Sequence, residues 1–200
     1  MIIHSESEHF YIAMPKGPVC DDHFLLVPKR HIAHTLELTD EVEEEFEMLR
    51  DFLLDYIMNV KHMDYLMFER NSPFKFEKAA HMNIQILALP SDVNLEERVR
   101  KLLNTFQSQN TNERQNAFAE ITERESDLRA ELGNDPSKHF FYLQIPGLRT
   151  ARGRQRIRFY QNLLPGAPFD IQFGRILACH LLGQRNKLNW KNCVLPKDQE

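Results

Sequence analysis

Apolar and polar positions alternate most cleanly between residues 81 and 87, where His81, Asn83 and Gln85 interleave with Met82, Ile84 and Ile86. A period of two marks a half-buried strand, so the pattern predicts one from His81 to Leu89, stopped by Pro90. Such a strand sets His81, Asn83 and Gln85 in a row on one face, about 7 Å apart, where they either meet solvent or line a pocket. Shorter β-rich runs at 10–14 and 24–27 are separated by Pro15-Lys16-Gly17-Pro18 and closed by Pro28, which predicts an antiparallel pair. Further strands are expected at 65–68 and 140–145.

A helical period takes over at Asp40. Val42, Phe46, Leu49, Leu53, Tyr56, Ile57 and Val60 recur at spacings of three and four, with Asp40 as N-cap, Glu43 in the capping-box position and glutamates on the other side. This helix is expected to cover a sheet. Asn94 caps a second one, striped by Leu95, Val99, Leu102, Leu103 and Phe106. Seven polar residues from Gln107 to Glu113 read as an internal boundary, giving one domain over 1–107 and an extension over 108–200 packed on it. In the second part the pattern predicts a charged helix from about 111 to 132, ended by Gly133 and Pro136, then the strand at 140–145. An arginine-rich loop follows, and a last helix over 171–182 stops at Gly183.

Composition narrows the class. Two hundred residues at 42% apolar content suffice for a real core, and a net charge of −4 says nothing either way about nucleic acid. Local charge says more: nine acids and one base lie between Glu37 and Asp55, whereas Arg149, Arg152, Arg154, Arg156 and Arg158 come without an acid. Cys20, Cys179 and Cys193 are widely spaced and odd in number, which fits reduced thiols in a cytosolic or nuclear protein. Apolar runs fall well short of the roughly 18 residues of a membrane span, and no secretory leader opens the chain.

The stretch His81-Met82-Asn83-Ile84-Gln85 resembles the histidine-triad signature, His-φ-His-φ-His, or its variant ending in Gln. The resemblance implies an α+β fold, a histidine-triad-like antiparallel half-barrel sheet packed with helices, here followed by a C-terminal α/β extension. In that family the middle histidine attacks the α-phosphate of a nucleotide. Asn83 stands at that position, and a carboxamide nitrogen is not basic, so the family's covalent route is closed. More specifically, several pieces resemble the CwfJ C-terminal region of the Cwf-nineteen-like, or Drn-type, splicing proteins. They are Pro15-Lys16-Gly17-Pro18, His23 with Pro28 and His31, Phe68-Glu69-Arg70-Asn71, His81-x-x-x-Gln85 with Pro90, Phe173-Gly174-Arg175 and Trp190-x-x-Cys193. That family carries an upstream domain similar to metallophosphoesterases, so the chain is expected to be part of a longer protein. The resemblance implies a nuclear protein of the late, intron-lariat spliceosome that assists the lariat-debranching enzyme.

Candidate residues follow from both lines. His81, Asn83, Gln85, His31 and Asn71 are the candidates for a phosphate or nucleotide pocket, because amides and neutral imidazoles donate hydrogen bonds to phosphate without chemistry. His23 is expected to pack and to hydrogen-bond the backbone. Arg149, Arg152, Arg154, Arg156, Arg158 and Tyr160 are the candidates for RNA contact, or else for pairing with the chain's own acidic helix. His23, His31, His34 and His81 lack the paired spacings of zinc motifs, so neither a metal nor another cofactor is expected. A non-catalytic recognition module is the first reading; the alternative is a nucleotide hydrolase or transferase using His81 or His31 as acid–base.

Overall fold

The computed structural model describes residues 2–4, 6–72, 81–109, 117–122, 127–150, 153–164 and 169–194. Its frame is one eight-stranded antiparallel sheet, in the order β1-β2-β3-β5-β4-β7-β8-β6. The strands are β1 (Ile2–His4), β2 (Phe10–Ala13), β3 (His23–Pro28), β4 (Asp64–Asn71), β5 (Ile84–Leu89), β6 (Ala119–Glu120), β7 (His139–Thr150) and β8 (Gly153–Leu163). The pair read from the first two β-rich runs is present, with Ile12 opposite Leu26. The α+β class is therefore observed. The C-terminal part adds its strands to the same sheet, β7 lying along β4 with Phe68 opposite Leu143.

Period-two alternation divides the core into two layers. One face of β4 and β5 presents Tyr65, Met67, Ile84, Ile86 and Ala88 to Phe46, Leu49, Leu53 and Leu54 of helix α1 (Asp40–Asp55). The other presents Leu66, Phe68, Leu87 and Leu89, together with Phe141 and Leu143, to helices α2 (Leu95–Gln109) and α4 (Phe173–Leu181). No helix among the described residues is long and apolar enough to cross a membrane.

Four local expectations need correction. The cap of α1 is Thr39 rather than Asp40, and no side-chain capping bond forms there. Val60 leaves the apolar stripe and is exposed, because Tyr56–Val60 forms a π-turn that widens the helix and rotates its last residues outward. The charged helix expected over 111–132 is replaced, within the described part, by β6 and by the short helix α3 (Leu128–Glu131). The edge of β8 decides this: Ala119 pairs with Tyr160 and the Ile121 N–H donates to the Arg158 carbonyl, so tertiary pairing overrides helical spacing. Gly133, at φ +72°, ends α3 in the left-handed conformation that glycine adopts freely. Last, the arginine-rich segment is the β7–β8 hairpin, with Arg154, Arg156 and Arg158 in a strand; Arg152 lies outside the described residues.

Candidate functional site

β5 begins at Ile84, so only Gln85 of the polar row lies within the strand, while His81 and Asn83 lie on the segment entering it. Around them runs one directed chain of hydrogen bonds. The Val19 N–H donates to His23 Nδ1 at 3.2 Å, and His23 Nε2 meets Gln85 Oε1 at 3.1 Å. Because a backbone N–H can only donate, Nδ1 accepts, the proton sits on Nε2, and Gln85 must accept through its oxygen. That orients the Gln85 amide nitrogen toward Asn83 Oδ1 at 3.4 Å, and Asn83 Nδ2 donates to the His81 carbonyl at 3.2 Å. Burial pushes the His23 imidazole down to about 3, the Gln85 hydrogen bond opposing, so it stays neutral at physiological pH. With its lone pair occupied by Val19, His23 is no nucleophile.

Asn83 and Gln85 line a cavity of about 340 Å³ between β4, β5 and the N-terminal end of α4. Among the described residues its lining includes three cations, Lys16, Arg70 and Arg175, and no carboxylate. Burial lowers the pKa of the Arg70 guanidinium, and the charge of Asp170 opposes that shift. Gln172 and Gly174 bring the first turn of α4 to the cavity, the end of a helix that favours anions.

The wall is built by close approaches that only glycine permits. A Cβ on Gly174 would stand 2.2 Å from the Phe68 ring, and one on Gly17 would stand 2.5 Å from the Trp190 carbonyl oxygen. Arg175 is a fastener rather than a free cation: its Nε donates to the Lys187 carbonyl at 2.8 Å and its Nη1 to the Gly17 carbonyl at 2.7 Å. Four motifs scattered over the chain, at residues 15–18, 68–71, 173–175 and 190–193, thus meet at one place. Local sequence gives Lys16, Arg70 and Trp190 no role; the signal that could find them is that the motifs holding them resemble pieces of one family.

The other candidates fall elsewhere. The His81 Nε2–H donates to the Pro28 carbonyl at 3.0 Å, and its ring lies 5.4 Å from that of His31; neither lines the cavity. Asn71 is buried on the α1 side of β4, where Nδ2 donates to the Lys138 carbonyl at 2.9 Å. The β8 arginines also face the α1 side. Arg156 pairs with Asp51 of α1 at 3.0 Å, Arg154 with the buried Asp64 at 2.6 Å, and the Tyr160 hydroxyl donates to Glu131 at 3.2 Å. Arg158 lines a cleft on that side with Glu43, Glu47 and Glu69. Arg149 belongs to β7 opposite Arg154. Glu69 itself escaped the sequence reading: it is buried, it accepts from the N–H and hydroxyl of Thr35 at 2.9 and 2.6 Å, and burial raises it to about 7 against those bonds.

The chain is thus an α+β protein, an eight-stranded antiparallel sheet packed with helices, with an amide-lined, cation-rimmed cavity on one face. Residues 1–101 match the family described as "Protein similar to CwfJ C-terminal", and the chain belongs to that family. It is 28% identical to zinc finger CCCH domain-containing protein 64 of Arabidopsis thaliana over 204 residues, covering 100% of this chain and 31% of that protein. It is 29% identical to the human CWF19-like protein 1 over 195 residues, covering 96% of this chain and 32% of that protein. The chain thus spans about a third of the length of these curated relatives. Among solved structures, a hypothetical protein from Leishmania major aligns at a TM-score of 0.38 and 16% identity, over 55% of this chain and 86% of that one.

Proposed function

We propose that the chain is a non-catalytic, histidine-triad-like recognition module of a splicing-associated nuclear protein, and that its cavity holds a phosphate group. In this reading residues 1–107 supply the triad-like sheet and residues 108–200 close its open face. The single observation that carries it is the lining of the cavity: among the described residues, three cations, two oriented amides and no carboxylate, in a chain of net charge −4. In this reading the setting is the late intron-lariat spliceosome, with the lariat-debranching enzyme as partner; membership of the CwfJ C-terminal family supports the splicing association. RNA enters through the cavity rather than through β8, since Arg154 and Arg156 already answer acids of the chain itself.

Calorimetric titration with ribose 5-phosphate tests the binding. Saturable uptake that Lys16→Ala weakens about tenfold is expected, since one charge-assisted hydrogen bond is worth that much. Absence of uptake by the parent chain would refute the reading. Incubation with adenylated lysinamide tests the chemistry: the parent is expected to acquire no covalent nucleotide by intact mass. Turnover by the parent that vanishes with His81→Ala would establish the hydrolase alternative instead. Co-precipitation with the lariat-debranching enzyme, with and without branched RNA, tests the partner.

A further inference from the structure

Helix α1 and the turn that follows it carry a second apolar row besides the one that packs on the sheet. Met48 is 62% exposed, Phe52 64% and Val60 63%. Met48 and Phe52 stand four residues apart, so their side chains adjoin on one face. Val60 joins them through the π-turn. In an unbroken α-helix the eight residues from Phe52 would carry Val60 about 80° away, into the stripe that packs on the sheet. The wide turn at Tyr56–Val60, closed by the Lys61 N–H on the Tyr56 carbonyl at 3.0 Å, takes up one residue more, and Val60 comes to within about 20° of Phe52. An apolar side chain is thereby moved from the buried stripe to the open one, against the burial that favours folding. Single exposed apolar residues are ordinary on a protein surface, but three in register make a ridge roughly 18 Å long, and such patches mark surfaces that a partner covers.

The surrounding charge defines that partner. From Asp40 to Asp55 the helix holds eight acids and one base. Arg50 answers Glu47 and Asp51, and Arg156 answers Asp51 again. Glu44, one turn before Met48, and Asp55, one turn after Phe52, are exposed and meet no cation among the described residues. Such a flank repels nucleic acid and anionic lipid, and a second copy of the chain would set acid against acid. A helical ridge offers no free backbone edge to a strand, so the complementary shape is another helix. We propose that Met48, Phe52 and Val60 form a docking ridge for a basic amphipathic helix of a partner protein, whose apolar face covers the three side chains and whose lysines or arginines meet Glu44 and Asp55. The ridge lies on the opposite side of the sheet from the cavity, so both can be filled at once and neither reading depends on the other.

A fluorescent peptide of about 18 residues, with leucines on one face of its helix and lysines on the other, is the probe. Fluorescence anisotropy with the full chain should show saturable binding that weakens with salt. Phe52→Ser and, independently, Met48→Ser should weaken it about tenfold, and Val60→Ser about fivefold. Glu44→Lys should slow association and flatten the salt dependence. Val93→Ser, an equally open apolar site outside α1, should change nothing. Circular dichroism and ribose 5-phosphate titration, both unchanged in every variant, separate loss of the ridge from loss of the fold and from the cavity reading. Binding that survives Phe52→Ser and Met48→Ser, or an equal affinity for the same peptide with glutamate in place of lysine, would overturn the proposal. So would a homodimer in sedimentation, or adsorption to phosphatidylserine vesicles, that Phe52→Ser abolishes, since the ridge would then serve a second copy or a membrane.

Discussion

His23 and Glu69 are buried titratable groups on opposite faces of the sheet, and their protons respond to pH in opposite senses. Burial lowers His23 from 6.5 to about 3, so between those values the unfolded chain carries a proton that the folded chain lacks, and stability rises with pH. Burial raises Glu69 from 4.5 to about 7, so between those values the folded chain carries the extra proton, and stability falls as pH rises. Where the windows overlap, from about pH 4.5 to 6.5, each contributes a slope of about 1.4 kcal/mol per pH unit and the two cancel. Glu69→Gln removes one of them. Relative to the parent, that variant is expected to gain about 3 kcal/mol between pH 4.5 and 6.5 in urea unfolding; parallel curves would count against a buried proton on Glu69. Asn83 was the residue most legible in advance, since its chemistry is independent of fold. The tautomer of His23 was not, because it depends on Val19, which no motif includes.

At the scale of elements, β8 separates two arginines that look alike in sequence. Arg154 answers Asp64, whose side chain is almost wholly buried, so Arg154→Ala strands a carboxylate and is expected to cost about 3 kcal/mol in chemical unfolding. Arg156 answers Asp51 with both partners open to solvent, and Arg156→Ala is expected to cost under about 1 kcal/mol. Equal losses would contradict the burial difference. The spacing of Arg154, Arg156 and Arg158 already has a strand's period, yet five arginines in ten residues read as a loop, since charge drew attention away from alternation. α4 makes the converse case, a helix legible from its pattern whose distance from the sheet was not. Gly174→Ala drives a methyl into Phe68, which cannot swing aside because it stacks on Phe141 at 5.9 Å. A loss of about 1 to 3 kcal/mol is expected, with weaker phosphate binding as α4 is pushed outward; a neutral outcome in both measurements would show that the contact is slack.

Across the whole molecule, strand order was the part least open to sequence reading. Adjacent β-rich runs announced the β2–β3 pair, but the joining of β7 to β4 brings together segments some seventy residues apart, with no local signal between them. The cavity was legible only in pieces for the same reason: Gly17 and Arg175 meet across 158 positions. That distance also sets an order of events during synthesis. A nascent chain released as far as Leu163 holds every strand of the sheet, yet the wall made by α4 and the Trp190 turn is still inside the ribosome. Recognition is therefore acquired only after the sheet is complete, and a ligand that grips the cavity certifies that synthesis has passed residue 193.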